Sequence, residues 1–332
     1  MIRPLCLALC LLPSAAIATP PPIMAPVINW EMANEYPASS IHGEGDQFFG
    51  KLVHEKSRGR IVIAHRFDAS DGLRSKDMLE AVASGKLPLA DIYVGALGEI
   101  EPIFLLPSLP FLAVTTDQAR ALFETAEAGY DIVLARHNQK LLYPSPWPPT
   151  GIWAKQPITS LASLKDLRIR TYDTNGTITF KSIGARPEEI SFADTLPRLA
   201  GGDIQAVLSS GDGGAGARLW QYLDNFTAIN YAMPLSLVTI NLDVWNGLPP
   251  KLQNAVRDAA NATEAHQWII IRQRVEENYL RMRANHVTVT TAVPAPLIAA
   301  LKAAGNEAVE AWVTRVGPKG RLLLADYERR IH

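Results

Sequence analysis

Leu167-Arg168-Ile169-Arg170, running straight into Thr171-Tyr172-Asp173-Thr174-Asn175-Gly176-Thr177, is the stretch on which the reading of the fold turns. Four residues of strand character end on a guanidinium, and a loop of hydroxyls and a glycine leads into a helix expected over 177–183. Strand, turn and helix in that order are half of a β-α-β unit. An arginine at the carboxyl end of such a strand stands where open α/β sheets take their ligands. Its five N–H donors match the two oxygens of a carboxylate as a fork. The residues alone leave Arg170 open between a surface charge and a ligand clamp.

Working outward, Pro187–Ser191 reads as a short strand, Phe192-Ala193-Asp194-Thr195-Leu196-Pro197-Arg198-Leu199 opens a helix, and Ile204–Leu208 is a strand. An earlier series has the same wiring. Val27–Met32 alternates like a strand, and Phe48, Phe49, Leu52 and Val53 sit at helical spacing. Arg60–His65 is the next strand, 75–83 a helix closed by Ser84-Gly85, and Ala90–Val94 a buried strand. The Pro-rich stretch from Pro144 to Pro149 separates the two series, and no close sequence repeat relates them. Each series implies a mostly parallel sheet with helices on its faces. Met233–Leu242 then reads as a long strand. From Lys251 to about Asn285 nothing breaks a helix, and Pro249-Pro250 suits its first turn. One apolar stripe, Leu252, Val256 and Ala259, gives way to another, Trp268, Ile271, Val275, Tyr279 and Met282. A helix whose stripe shifts in this way serves two lobes. A further helix is expected over 297–316, then Gly317-Pro318-Lys319-Gly320 and a short terminal helix.

The 332 residues allow two or three domains, and 48% hydrophobic against 20% charged content builds a large core. A formal net charge of -1 points to neither nucleic acid nor an anionic membrane surface. Arg3, the apolar run Leu5–Leu12 and Ala16-Ile17-Ala18 have the n-region, h-region and cleavage site of a secretory signal over 1–18. The run is too short to span a bilayer. Cys6 and Cys10 both lie inside this segment, and Leu9 before Cys10 argues against a lipoprotein. The mature protein is then expected to be periplasmic, with no disulfide and no cysteine metal site.

Gly211-Asp212-Gly213-Gly214-Ala215-Gly216 matches a dinucleotide fingerprint and follows a strand, with a helix expected over 218–226. The next apolar stretch, Thr227–Tyr231, ends in no acidic residue for a ribose, so a flexible turn with amides near a cleft is the better reading. The seven histidines have no metal-pair spacing and no accompanying carboxylate cluster. With no G-x-S-x-G elbow and no phosphate loop either, no catalytic residue, cofactor or metal is expected. Tyr36, Trp147, Tyr172 and Phe192 lie in loops rather than in helical stripes, at the strand ends where small-molecule sites form.

The order of several motifs resembles the DctP family of TRAP transporter solute-binding proteins. Leu164-Lys165-Asp166-Leu167-Arg168-Ile169-Arg170 is similar to the family's "DLKGLKIR" strand, and Gly184-Ala185-Arg186-Pro187 to its "GA-P" turn. Phe192-Ala193-Asp194 with Leu199-Ala200-Gly201-Gly202-Asp203 resembles its "F-E-Y-ALQ-G-D" helix. Pro107-Ser108-Leu109-Pro110-Phe111-Leu112 and Trp245-Asn246-Gly247-Leu248-Pro249 are similar to its "LPFLF" and "W-SLP" segments. The resemblance runs through the whole mature chain in order.

It implies an α/β, two-lobed periplasmic binding protein fold with mixed and parallel sheets. Lobe I is expected over 26–146 plus 235–270, and lobe II over 147–234 plus 271–332. Hinge strands would lie near 143–154 and 232–242, and the long helix would cross both lobes. Arg170 takes the family's carboxylate-binding position, Phe192 a position that packs on ligand, and Ser209 falls near a ligand-contacting Asn. This chain departs from the family at Leu208-Ser209-Ser210-Gly211-Asp212, which places Ser210 and Asp212 among the expected ligand contacts. Where some acidic-sugar binders carry a second arginine, this chain has Thr150. Tyr36, Ser39, Ser40 and Arg74 would close over the cargo from the first lobe, with Tyr172 and Trp147 beside it. The implied function is capture of a monocarboxylate (a hydroxy, keto or aromatic acid) for a TRAP membrane permease, by a monomer. The alternatives are a binding protein of another importer class and an exported enzyme acting on a small organic acid.

Overall fold

A computed structural model describes residues 26–331 of the chain. The signal segment, with Cys6 and Cys10, lies outside the described residues. The first half runs β1 (Ile28–Asn34), α1 (Ile41–Lys56), β2 (Ile61–Arg66), α2 (Ser75–Ala83), β3 (Leu89–Tyr93), α3 (Thr116–Arg136) and β4 (Gln139–Pro146). Then come β5 (Thr150–Ala154), β6 (Arg168–Thr171), α4 (Thr174–Ser182), β7 (Arg186–Glu189), α5 (Phe192–Ala200), β8 (Ala206–Ser210) and α6 (Gly211–Gly216). The chain closes with β9 (Asn225–Thr227), β10 (Leu235–Asn241), α7 (Leu242–Asn246), α8 (Pro250–Ala284), β11 (Thr288–Thr290), α9 (Ala295–Val316) and α10 (Pro318–Ile331).

Two sheets form, ordered β2-β1-β3-β10-β4 and β11-β9-β5-β8-β6-β7. Within them β1 is parallel to β2 and β3, and β6 is parallel to β7 and β8, as a β-α-β series requires. Both sheets are mixed rather than mostly parallel. β10 runs antiparallel to β3 and β4, and β5 antiparallel to β8 and β9. The reason is topological: β5 and β10 arrive from the other lobe and enter their sheet from the opposite end. The two crossing segments bond to each other. Trp147 N–H donates to Pro234 O at 2.9 Å, Thr150 N–H to Ala232 O at 2.9 Å, and Tyr231 N–H to Thr150 O at 2.9 Å.

α8, at about 1.5 Å per residue, is long enough to serve both lobes. Leu252, Val256 and Ala259 pack with Trp30 and Phe49 in the first lobe, while Met282 packs with Trp153 and Phe226 in the second. α10 turns back onto α3. Tyr327 is buried there, and its hydroxyl donates to Leu112 O at 3.1 Å. The sequence division placed 271–332 in the second lobe, and α10 corrects it.

Two local expectations also shift. α4 starts at Thr174 rather than Thr177, because Asp173 caps it by accepting from Gly176 N–H at 3.0 Å. The glycine-rich run is itself the short helix α6, capped by Ser210, and only a 3-10 turn over Leu219–Gln221 stands where a helix over 218–226 is expected. Gly214 is required there, since a Cβ would lie 2.1 Å from the Trp153 ring. Among the described residues no helix is long and apolar enough to cross a membrane.

Candidate functional site

β6 carries Ile169 into the second lobe's core, and the alternation of the strand turns Arg170 to the other face. There its guanidinium is held from behind by two main-chain carbonyls. Nε donates to Ile190 O at 2.8 Å and Nη1 to Leu208 O at 3.1 Å. The Tyr172 ring lies 5.8 Å from the guanidinium carbon. Arg170 is only 3% exposed, yet among the described residues no Asp or Glu forms an ion pair with it. A buried cation without a counter-charge is expensive unless something else supplies one. Of five N–H donors, two are fixed, so the remainder are available to an incoming acceptor.

Those donors face a cavity lined by Tyr36, Tyr93, Trp147, Thr150, Arg170, Tyr172, Phe192, Ser209, Ser210 and Pro234. Its volume is about 30 Å³, well below the range of ligand clefts, so the lobes must part to admit anything larger than water. One wall is aromatic: the Tyr36 ring centroid lies 4.4 Å from that of Trp147 and 4.6 Å from that of Phe192. The opposite side is rich in hydroxyls. Tyr172 Oη donates to Thr150 Oγ1 at 3.3 Å, and Tyr93 Oη to Asp173 Oδ2 at 3.0 Å. Burial, first among the causes, pushes the Tyr36, Tyr93 and Tyr172 phenols well above their ordinary range, so all three remain protonated donors. Asp173 is raised too, mainly by burial, and the bonds from Ser108, Gly176 and Tyr93 oppose that shift.

Six of the residues singled out from sequence thus gather with Arg170: Tyr36, Trp147, Tyr172, Phe192, Ser209 and Ser210. Four do not reach the cavity: Ser39, Ser40, Arg74 and Asp212. Ser39 is exposed in the turn before α1, while its neighbour Ser40 caps that helix by accepting from Gly43 N–H at 3.0 Å. Arg74 is already paired: Nη2 meets Asp194 Oδ1 at 2.8 Å and Nε meets Oδ2 at 3.3 Å, across the mouth of the cleft. Asp212 is 2% exposed and ties the lobes together. It accepts from Ile41 N–H at 2.8 Å and Asn278 Nδ2 at 3.1 Å, with Arg274 Nε at 3.3 Å. A carboxylate there is saturated by protein donors, which is why it is not free for cargo.

Sequence reasoning missed Tyr93 and Pro234 as lining residues, and it named Thr150 only for the arginine it lacks. It also missed Glu35. This buried carboxylate accepts from Ser75 N–H at 2.8 Å, in the first turn of α2, and from Ala193 N–H at 3.0 Å, in the first turn of α5. One side chain thereby bridges the positive ends of two helices, one per lobe. Tyr93 closes β3, a strand whose carboxyl end meets the cleft, so strand-end position was the available signal.

The family model for bacterial extracellular solute-binding protein, family 7 (DctP), matches residues 32–314. The chain belongs to that family. DctP proteins are substrate-binding receptors, and the similar proteins below span nearly the whole chain. The ectoine-binding periplasmic protein TeaA of Halomonas elongata is 25% identical over 312 residues, covering 90% of this chain and 89% of TeaA. DctP7 of Bordetella pertussis, an extracytoplasmic solute receptor binding pyroglutamic acid, is 27% identical with a TM-score of 0.87, covering 91% of this chain and 100% of that one. A TRAP solute-binding protein from a marine metagenome, specific for pyroglutamate, is 25% identical with a TM-score of 0.87, covering 92% and 100%. The two-lobed α/β architecture of this DctP protein is therefore that of solved TRAP receptors.

Proposed function

We propose that this DctP protein is a periplasmic receptor that captures a small monocarboxylate on Arg170 and delivers it to a TRAP membrane permease. The observation that carries the reading is the buried guanidinium with no carboxylate partner, aimed into a small cavity. A cargo carboxylate supplies the missing counter-charge through the free N–H groups of the fork. Thr150 stands where a second arginine would hold a second anionic group, so the cargo carries one carboxylate. The protonated phenol of Tyr36 and the hydroxyls of Thr150 and Ser209 favour a second acceptor on it, a carbonyl or hydroxyl. Tyr36, Trp147 and Phe192 favour a compact or cyclic skeleton. Pyroglutamate, the ligand of two of the similar solved receptors, has these features and is the first compound to test. The reading also means that the protein carries its ligand unchanged and catalyses nothing.

The test is a thermal-shift screen over 2-oxo, 2-hydroxy, aromatic and cyclic monocarboxylates, with mass spectrometry of ligand retained on purification. A single-carboxylate compound is expected to raise Tm in the wild type and to leave Arg170→Ala unmoved. Stabilisation by dicarboxylates or acidic sugars alone would overturn the single-carboxylate reading, and turnover of the bound acid would replace the receptor with an enzyme.

A further inference from the structure

Directly behind the aromatic wall lies a polar pair that the cavity does not use. His42 sits in the first turn of α1 and is fully buried, and its ring stacks on Trp147 with centroids 3.8 Å apart and planes at 26°. Trp147 lines the cavity and His42 does not, so the indole separates the imidazole from the cargo. His42 Nδ1 lies 3.5 Å from Asp91 Oδ2, within ion-pair range. Neither ring nitrogen of His42 has a hydrogen-bond partner among the described residues, and the Asp91 carboxylate meets the side chain of Asp46. Bare ring nitrogens are costly in a packed interior unless a counter-charge stands beside them, and Asp91 is the carboxylate within reach of this ring. Deeper still, Asp46 accepts from Asn34 Nδ2 at 2.7 Å and Tyr143 Oη at 3.2 Å. Burial first, then the Asp91 charge, pushes the Asp46 carboxyl well above the usual carboxylate range.

We propose that His42, held by Asp91, is a positioning residue for cargo, acting through the Trp147 ring and linking cargo capture to a proton held at this pair. The inference rests on the monocarboxylate reading above. A charged imidazole against one face of an indole draws the ring's electron density toward itself. The opposite face then offers less repulsion to an anion held on Arg170. A neutral imidazole leaves that repulsion in place and also leaves the Asp91 charge unanswered behind the wall. The groups that face the pair are Asp91 on β3, Asp46 on α1, Tyr143 on β4, and Tyr36 with Glu35 after β1. Beside them, α8 presents Gln267 and Arg274, α6 presents Asp212, and β2 presents His65, whose Nε2 lies 2.9 Å from Asp46 O. Among these groups Tyr36 is part of the wall itself, and His42 is the one that stacks on Trp147 from outside the cavity, which is why it is the one assigned.

The experiment has a cargo arm and a cargo-free arm. In the first, L-pyroglutamate binding is measured by calorimetry from pH 5.5 to 8.5, in buffers of differing ionisation enthalpy, for wild type, His42→Gln and Asp91→Asn. Wild type is expected to exchange protons on binding, and both variants to lose that exchange. The affinity of His42→Gln should fall by about tenfold, the scale of one desolvated cation–π contact. In the second arm, Trp147 emission in ligand-free protein is taken as the difference between wild type and Trp147→Phe. It should change with pH in the wild type and not on a His42→Gln background. If wild type binds no monocarboxylate, the receptor reading fails and the emission arm still decides the His42 assignment. Equal affinity and equal pH profiles for wild type and a folded His42→Gln, or a Trp147 signal that is flat with pH, would overturn it. Should His42→Gln fail to fold, Asp91→Asn and the wild-type emission profile carry the same decision.

Discussion

The floor and the mouth of one cleft each hold an arginine, and the two have opposite fates. Arg170 at the floor is buried against two carbonyl oxygens and a tyrosine ring, and among the described residues no carboxylate forms an ion pair with it. Arg74 at the mouth is more exposed and already joined to Asp194 of the facing lobe. Sequence treats them alike, as arginines near strand and helix ends. The difference teaches that a candidate binding cation is marked by the counter-charge it lacks. A cation whose donors are filled by protein works instead on the geometry of the lobes.

Breaking the floor gives the largest expected effect. Arg170→Ala should remove cargo-induced stabilisation altogether, a loss of roughly 2–5 kcal/mol of binding, with the unliganded melting curve preserved. A mutant stabilised by cargo as strongly as wild type would move the anion site elsewhere. Next comes Asp212, which the comparison assigns to the structure and not to the cargo. Asp212→Ala orphans Ile41 N–H and Asn278, so unliganded stability should drop by roughly 1–3 kcal/mol in chemical denaturation. Unchanged stability with lost binding would return Asp212 to the site.

Breaking the mouth is milder. The Arg74–Asp194 pair is partly solvated, so Arg74→Ala should weaken cargo binding by about 0.2–1 kcal/mol, and stopped-flow should place the change in the release rate. A loss comparable to that of Arg170→Ala would erase the contrast between the two arginines. The smallest effect sharpens the wall behind the floor. Asp46 has its folded pKa raised, so the folded state holds more protons than the unfolded one above the ordinary carboxylate range. Its contribution to stability therefore declines as pH rises. Asp46→Asn removes the titration, keeps one of the two acceptor oxygens that Asn34 and Tyr143 use, and should flatten that decline in Tm measured against pH. A steeper decline in the variant would reverse the sign.

Much of the fold was legible because it is written locally. Period-two runs and capped helices placed β1, β2, β3, β6 and α8 close to where they lie. α3 was equally legible, with Ala119, Leu122, Phe123, Ala126, Tyr130 and Val133 at steps of three and four behind the Thr115 cap, and the sequence reading passed over it. The antiparallel sense of β5 and β10 was not legible, since it depends on which sheet a strand enters. The return of α10 to α3 is a long-range packing choice of the same kind.

At the site the division is physical. Residue type and strand-end position, with the family resemblance for Ser209 and Ser210, singled out Arg170, Tyr36, Trp147, Tyr172, Phe192, Ser209 and Ser210, which line one cavity. The order of motifs determined the family. Tertiary structure alone decided which polar groups are already satisfied: Asp212 by α1 and α8, Arg74 by Asp194, Glu35 by two helix N-termini. Satisfaction is a property of pairs that meet across 40 to 171 residues of chain, and no local pattern encodes it. It is also what leaves Arg170, with free donors and no ion-pair partner among the described residues, as the candidate cargo contact.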